Sequence, residues 1–259
     1  MTSLYDMKEK VAFVTGAGMG GLGAQSAITL AKAGCHVVVA DIADRKQDLD
    51  QTLAQINNHS DQSFAVTMDI TKEEEIDQAI DQVIARFGKL DILVNCSGVM
   101  LRKPTFDTSI EEWQRIIDVN LTGTWLLARR AARHLTEQGH GKIINFSSLY
   151  SDMVGPLPEP AYYASKSGVV NLTRGLAMEW GKHNIQVNCI APGVFFPTNM
   201  TGPLAEQQGR LEQMEERTLL GRLGDPKKDI SGVVLFLASP ASDYITGQKI
   251  AVDGGWSSW

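Results

Sequence analysis

Seven short apolar runs, rich in β-branched residues, recur along the chain between longer stretches of helical periodicity. They are VAFVT (11–15), HVVVA (36–40), FAVTMD (64–69), DILVN (91–95), KIINFSS (142–148), IQVNCIA (185–191) and QKIAVD (248–253). Runs this continuously apolar belong to strands buried on both faces, as in a parallel sheet covered by helices. The intervals supply the helices: Ala24, Ala27, Leu30 and Ala31 share one face, and Ile76, Ile80, Val83, Ile84 and Phe87 recur at helical spacing. A polar helix is expected around 44–57. Crossovers between parallel strands are right-handed, so the expected architecture is α/β: a doubly wound parallel sheet of about seven strands with helices on both faces. No linker or compositional break divides residues 1–259, which read as a single domain.

One interval is too long for a plain connection. Between Ala191 and Asp225 there is no strand signal, and 203–218, with Leu204, Leu211 and Met214 among charges, reads as a surface helix. Long insertions at strand ends serve as lids or binding loops, so a substrate lid is expected at about 193–225; an oligomer contact is the other use of such a segment.

Bulk properties exclude several classes. A net charge of −6 gives no general attraction to nucleic acid or to an anionic membrane. No stretch approaches the roughly 20 apolar residues of a membrane span, and the opening MTSLYDMKEK has no apolar secretory core. Three dispersed cysteines, Cys35, Cys96 and Cys189, and five scattered histidines form neither a disulfide framework nor a zinc spacing. A cytoplasmic protein without a metal site is the expectation.

Directly after the first apolar run comes TGAGMGGLG (15–23), which contains G-x-G-x-x-G in two registers, Gly16-Gly18-Gly21 and Gly18-Gly20-Gly23. The pattern alone is weak in a chain with 24 glycines. A strand before it, a helix after it and an acidic residue, Asp41, about 20 positions on make it a dinucleotide-binding signal. Glycines let the backbone turn and approach a pyrophosphate closely, while the helix N-terminus offers free N–H groups and a positive dipole. A carboxylate at Asp41 accepts hydrogen bonds from ribose hydroxyls and repels a 2′-phosphate, which predicts NAD rather than NADP; Arg45 and Lys46 lie close by in sequence.

Over nearly its whole length the chain resembles the short-chain dehydrogenase/reductase family, whose fold is a Rossmann-type sheet. The family loop is similar to T-G-x-x-x-G-x-G with an apolar residue between the last glycines. The resemblance therefore assigns Gly16, Gly21, Leu22 and Gly23 to the cofactor, with a loop one residue longer than usual. It likewise implies that Asp69 contacts the adenine. NCSG (95–98) stands where N-N-A-G is usual, so Asn95 and Gly98 carry over while Cys96 and Ser97 depart; Cys96 reads as packing rather than a redox handle. Pro192 and Gly193 in APG match the turn beside the nicotinamide, and Thr198 would bind its carboxamide.

The segment YYASKSG holds Tyr162 and Lys166 in the family's Y-x-x-x-K spacing, which places both side chains on one helix face. Reduction of a ketone needs a proton at the forming alkoxide, and oxidation of an alcohol needs it removed. A free phenol near pKa 10 is a poor base at neutral pH, and a neighbouring ammonium and the positive nicotinamide ring favour its ionised form. Tyr163 has no lysine four residues on. By the resemblance Ser148 bonds the substrate oxygen and Asn120 holds a water against the lysine, completing the catalytic set Asn120, Ser148, Tyr162 and Lys166. No G-x-S-x-G elbow and no Cys/His arrangement points to hydrolysis.

Within the family, GVMLRKP (98–104), TRGLAMEWGKHNIQVNCIAPG (173–193) and ASDYITGQKIAVDGGW (241–256) are similar to gluconate 5-dehydrogenases and 2-deoxygluconate 3-dehydrogenases. Their substrates are small sugar acids or keto sugars, and Arg102 after the fourth strand is expected to grip the carboxylate, with Ser148 and Tyr162 completing the substrate site. The alternative enzyme is an NADPH-dependent 3-oxoacyl-carrier-protein reductase, with Arg129, Arg130 and Arg133 facing an acidic carrier. A non-catalytic nucleotide sensor on the same fold is the alternative of another class. The resemblance also implies a homotetramer.

Overall fold

The computed structural model describes residues 4–259. Seven strands, β1 (Val11–Thr15), β2 (His36–Asp41), β3 (Phe64–Thr67), β4 (Ile92–Asn95), β5 (Gly141–Phe146), β6 (Ile185–Pro192) and β7 (Lys249–Val252), form one sheet in the order β3-β2-β1-β4-β5-β6-β7. Every pairing is parallel; Val14 lies opposite Val39 on one side and Val94 on the other. The order reverses between β1 and β4, so their C-terminal ends open a crevice where ligands bind in such sheets. The doubly wound fold read from the sequence is the fold found.

Strand residues alternate between two cores, as a period of two requires. Ala12, Val14, Val37, Val39, Ile92 and Ile144 pack on helices α1 (Leu22–Lys32), α2 (Lys46–Ile56) and α8 (Ser231–Ala238). Val11, Phe13, Val38, Leu93 and Ile143 pack on α3 (Glu73–Phe87), α5 (Gly123–Gln138) and α6 (Pro160–Trp180). The helix α4 (Ile110–Ile117) begins with a reciprocal capping box between Ser109 and Glu112. It runs into α5 through a π turn at Asp118–Thr122, which carries Asn120.

The expected helix over 203–218 is broken. A 3-10 turn at Gly202–Glu206 is followed by a separate helix, α7 (Arg210–Glu216), with Gly209 between them at φ +70°. A left-handed residue ends a helix path, which sequence periodicity across it does not register. The excursion is stitched at its base: Gly224 N–H donates to Val194 O at 2.9 Å, and Phe196 N–H donates to Gly224 O at 2.9 Å. Leu204, Met214, Leu223 and Trp256 bury together with Leu149 in a third apolar cluster that joins this segment to the loop after β5. Trp256 is therefore part of its own subunit's interior, whereas Trp259 is 71% exposed.

Candidate active site

The glycine loop connects β1 to α1 at the crevice. Gly16 has φ +62°, and a Cβ there would lie 2.7 Å from the Cys96 carbonyl. At Gly23 a Cβ would lie 2.3 Å from Gly16 O, so the first turn of α1 rests directly on the loop's own backbone. Gly21 is different: it is the N-cap of α1 with extended backbone, and its nearest obstacle is at 3.5 Å. Met19 and Gly20 form a turn within the loop. Met19 N–H donates to Asp48 O (3.1 Å), and Met19 O accepts from Arg45 Nη2 (3.0 Å) and Asn199 Nδ2 (2.9 Å). Gly20 O accepts from Asn199 N–H at 3.0 Å, so this turn bonds to the 193–225 segment. No side chain caps α1, and no acidic residue lies in its first turn. Its N–H groups and dipole suit an anion, and the residues fit a dinucleotide phosphate.

Around this loop the sequence-predicted residues take the following places. Asp41 ends β2; its Oδ2 accepts from Gly18 N–H (2.8 Å) and its Oδ1 from Ile42 N–H (2.9 Å). Arg45, bonded to Asp48 (2.6 Å), comes alongside: both Asp41 Oδ2 and Arg45 Nη2 stand about 3 Å from where a Gly18 Cβ would project. Asp69 closes an Asx turn by accepting from Thr71 N–H and Oγ1 through one carboxylate oxygen. Asn95, fully buried at the end of β4, donates to Thr124 O at 3.0 Å and meets Thr15 Oγ1 and Asn145 Oδ1, tying three strands to α5. Pro192 ends β6, and a side chain on Gly193 would strike Asp253 Cα at 2.6 Å. Thr198 turns its hydroxyl to Thr201 Oγ1 (2.7 Å) within its own turn.

The reacting groups expected from sequence converge on the ends of β4 and β5. Lys166 Nζ lies 5.8 Å from the Tyr162 ring centroid and donates to Phe146 O at 2.9 Å. Ser148, immediately after β5, caps the following 3-10 turn through its hydroxyl and also neighbours the Tyr162 phenol. A Cβ on Gly98 would lie 3.3 Å from Lys166 Nζ and 3.5 Å from Asn120 Oδ1, so these three meet at one point. The Asn120 side chain is already used: Oδ1 accepts from Val99 N–H (2.8 Å), and Nδ2 donates to Val99 O and Ser165 Oγ. Tyr163 points elsewhere, donating to Leu157 O at 2.6 Å.

Electrostatics differ from expectation in one respect. Burial pushes the Tyr162 phenol above its ordinary value, opposed by the Ser148 hydrogen bond, and pushes Lys166 down to about 8. The protein's own groups therefore leave the phenol above its ordinary value, because its desolvation outweighs the Ser148 hydrogen bond. The Cys96 thiol is likewise pushed up by burial, to about 12, which disfavours its thiolate.

Arg102 is not alone. Its Nε donates to Glu159 Oε1 at 2.8 Å, and its Nη2 reaches Met200 O at 3.4 Å. Glu159 is 1% exposed, and burial raises its carboxyl against the pull of Arg102. Nothing in the local sequence marks Glu159, which precedes α6 inside a proline-rich loop. On α5, Arg129 pairs with Glu73 and Arg130 with Asp77 (2.6 Å) and Asp81, so these two arginines are held by α3, while Arg133 is exposed. Among the described residues there is no metal-ligating cluster and no helix long and apolar enough to cross a membrane. All three cysteines are free.

The family described as "Enoyl-(Acyl carrier protein) reductase" matches residues 16–257. The chain is 40% identical over 255 residues to a 2-dehydro-3-deoxy-D-gluconate 5-dehydrogenase of Escherichia coli, covering 98% of each chain. It is 35% identical over 255 residues to the 5-keto-D-gluconate 5-reductase of the same organism, again with 98% of each covered. A crystal structure of a gluconate 5-dehydrogenase from Burkholderia cenocepacia, in complex with NADP and tartrate, superposes with a TM-score of 0.90 at 32% identity, covering 99% of both chains.

Proposed function

Because the chain belongs to the short-chain dehydrogenase/reductase family of NAD(P)-dependent oxidoreductases, we propose that it moves a hydride between the nicotinamide and a secondary alcohol or ketone of a sugar acid or related keto sugar. The observation that carries the reading is the meeting of Ser148, Tyr162 and Lys166 beside the glycine loop at the carboxyl edge of the sheet. The sugar-acid preference is supported by relatives named for gluconate derivatives.

Gly16, Gly21, Leu22, Gly23 and the N-terminus of α1 would hold the pyrophosphate, with Asp41 and Asp69 at the adenosine. Asn95, Gly98, Pro192, Gly193 and Thr198 would frame the nicotinamide half. The bound cofactor supplies the hydride acceptor or donor and, when oxidised, a positive ring. In the reducing direction Ser148 donates a hydrogen bond to the substrate carbonyl oxygen. As that oxygen becomes an alkoxide, Tyr162 gives it the phenolic proton. Lys166, anchored by Phe146 O, faces the resulting phenolate, and Asn120 fixes the Val99 backbone behind it. In oxidation Tyr162 takes the proton instead. The 193–225 segment acts as the lid over this site, tied through Asn199 to the glycine loop.

For the cofactor we favour NAD, since a carboxylate at the end of β2, Asp41, would repel a 2′-phosphate. NADP is the second reading: the Arg45 guanidinium stands beside Asp41, and the Burkholderia relative was crystallised with NADP. Against the carrier-protein reductase alternative, two of the three arginines it would dock through, Arg129 and Arg130, are taken by internal ion pairs, which leaves Arg133. Free cysteines fit a reducing cytoplasm. A homotetramer remains our proposal for the assembly; exposed Phe106, Met178 and Trp259 offer apolar contact area. The test is a panel of gluconate derivatives, neutral polyols and 3-oxoacyl thioesters, followed by nicotinamide absorbance with both cofactors. Turnover of acyl thioesters but of no sugar acid would overturn the reading, and turnover of nothing would favour the nucleotide sensor.

A further inference from the structure

One guanidinium in the 193–225 segment has two of its three nitrogens buried without a partner. Nε and Nη2 of Arg210 are both buried and have no hydrogen-bond acceptor, while Nη1 only reaches Gln213 Oε1 at 3.4 Å. Arginine does not escape burial by losing its proton, and a buried charged donor with no acceptor is strongly destabilising. Such a group is retained where something else supplies the acceptor.

Its place in the fold says what that is. Arg210 opens α7, whose Leu211 and Met214 pack with Leu149, Tyr150 and Leu157. Those residues belong to the loop that leaves Ser148 and returns as α6 with Tyr162. The charge of Arg210 is felt at Glu159 and at Tyr150, and both of these in turn act on Tyr162. The fixed charges here do not balance. Arg102 and Glu159 neutralise each other at 2.8 Å, and Arg217, also near Tyr150, lies exposed with its guanidinium over the Trp256 ring. Arg210 is left with two buried guanidinium nitrogens unpaired, on a helix packed against the loop that joins Ser148 to Tyr162.

We propose that Arg210 anchors the substrate carboxylate. Nε and Nη2 form the side edge of the guanidinium, whose two N–H bonds run parallel and match the two oxygens of one carboxylate. Arg102, by contrast, spends its Nε on Glu159 and holds the mouth of the site through Met200 O. Since Arg210 rides on the 193–225 segment, its pairing with the substrate also draws that segment onto the site. The inference rests on the sugar-acid reading of the function.

The test is calorimetric titration of D-gluconate and of its neutral counterpart D-glucitol into the enzyme saturated with NADH, with NADH affinity measured separately by fluorescence. Arg210→Gln is expected to weaken D-gluconate binding by about tenfold or more, roughly 1.4 kcal/mol, while D-glucitol and NADH affinities stay within about twofold. Arg210→Lys, which keeps the charge without the fork, should lose less, and it decides the matter alone if the glutamine variant does not fold. D-gluconate affinity unchanged in both variants, or an equal loss for D-gluconate and D-glucitol, overturns the assignment. Wild-type enzyme that binds neither D-gluconate nor 5-keto-D-gluconate overturns the sugar-acid reading itself, and Arg210 falls with it.

Discussion

Replacing Gly23 by alanine tests the account of the glycine loop most directly. The added Cβ would stand 2.3 Å from Gly16 O and 2.8 Å from Gly16 C, against an ordinary contact of 3.4 Å or more. The shortfall of about 1.1 Å falls on backbone, which no rotamer change relieves. Either α1 lifts from the loop or Gly16 leaves its φ of +62°. Overpacking of this kind costs about 1–3 kcal/mol, and the upper end is expected because the obstacle is main chain. For a chain of this size about 3 kcal/mol lowers Tm by roughly 6–12 °C. Lifting α1 also moves the N–H groups proposed to meet the pyrophosphate, so NADH affinity should drop by at least about tenfold. Gly21→Ala is the comparison: its Cβ has 3.5 Å of clearance, and the loss should stay near the 1 kcal/mol of an N-cap change. Differential scanning calorimetry and NADH fluorescence titration on both variants give the answer. If Gly23→Ala melts and binds like wild type, or if Gly21→Ala is equally damaged, the packing argument is wrong.

Tyr162→Phe should keep NADH affinity and lower kcat by about 10² to 10⁴-fold, while Tyr163→Phe, which loses the phenol's bonds to Leu157 O and Glu159, should retain turnover; the reverse pattern in a steady-state assay removes the proposed acid/base. Lys166 is held at about 8 in the fold against an unfolded value near 10.5, so between those pH values the unfolded chain binds more protons and stability from this group rises with pH. Denaturant titrations from pH 8 to 10 should show Lys166→Met lacking that rise, up to about 1.4 kcal/mol per pH unit; parallel slopes in both proteins would refute the burial argument. Asp41→Ser removes the acceptor of Gly18 N–H and the charge opposing a 2′-phosphate, so the ratio of kcat/KM for NADP(H) over NAD(H) should rise by about tenfold or more; a wild-type preference for NADPH would contradict the choice of NAD. Light scattering at micromolar concentration should give the mass of four chains, and a monomer would remove the proposed assembly.

The sequence by itself determined the sheet, its seven strands and the helices on both faces, because alternation and helical spacing are local patterns that burial imposes on neighbouring residues. It also brought Tyr162 and Lys166 together, since four residues on one helix face need no tertiary information. It misjudged 203–218, where periodicity continues across Gly209 but the backbone does not. What only the tertiary structure decided depends on atoms far apart in the chain. Which glycine is compulsory follows from Gly23 resting on Gly16 O, a contact that a spacing motif does not contain. Arg102 reads as a free cation until Glu159, 57 residues away, is folded against it. Trp256 is buried by Leu149, Leu204 and Met214, which lie far from it in the chain. Arg210 carries no motif at all, and it becomes conspicuous only when folding buries its charge without an acceptor. Ion pairs and desolvation are set by three-dimensional neighbours, so the groups proposed to select the substrate were the part of the site least legible in the linear chain.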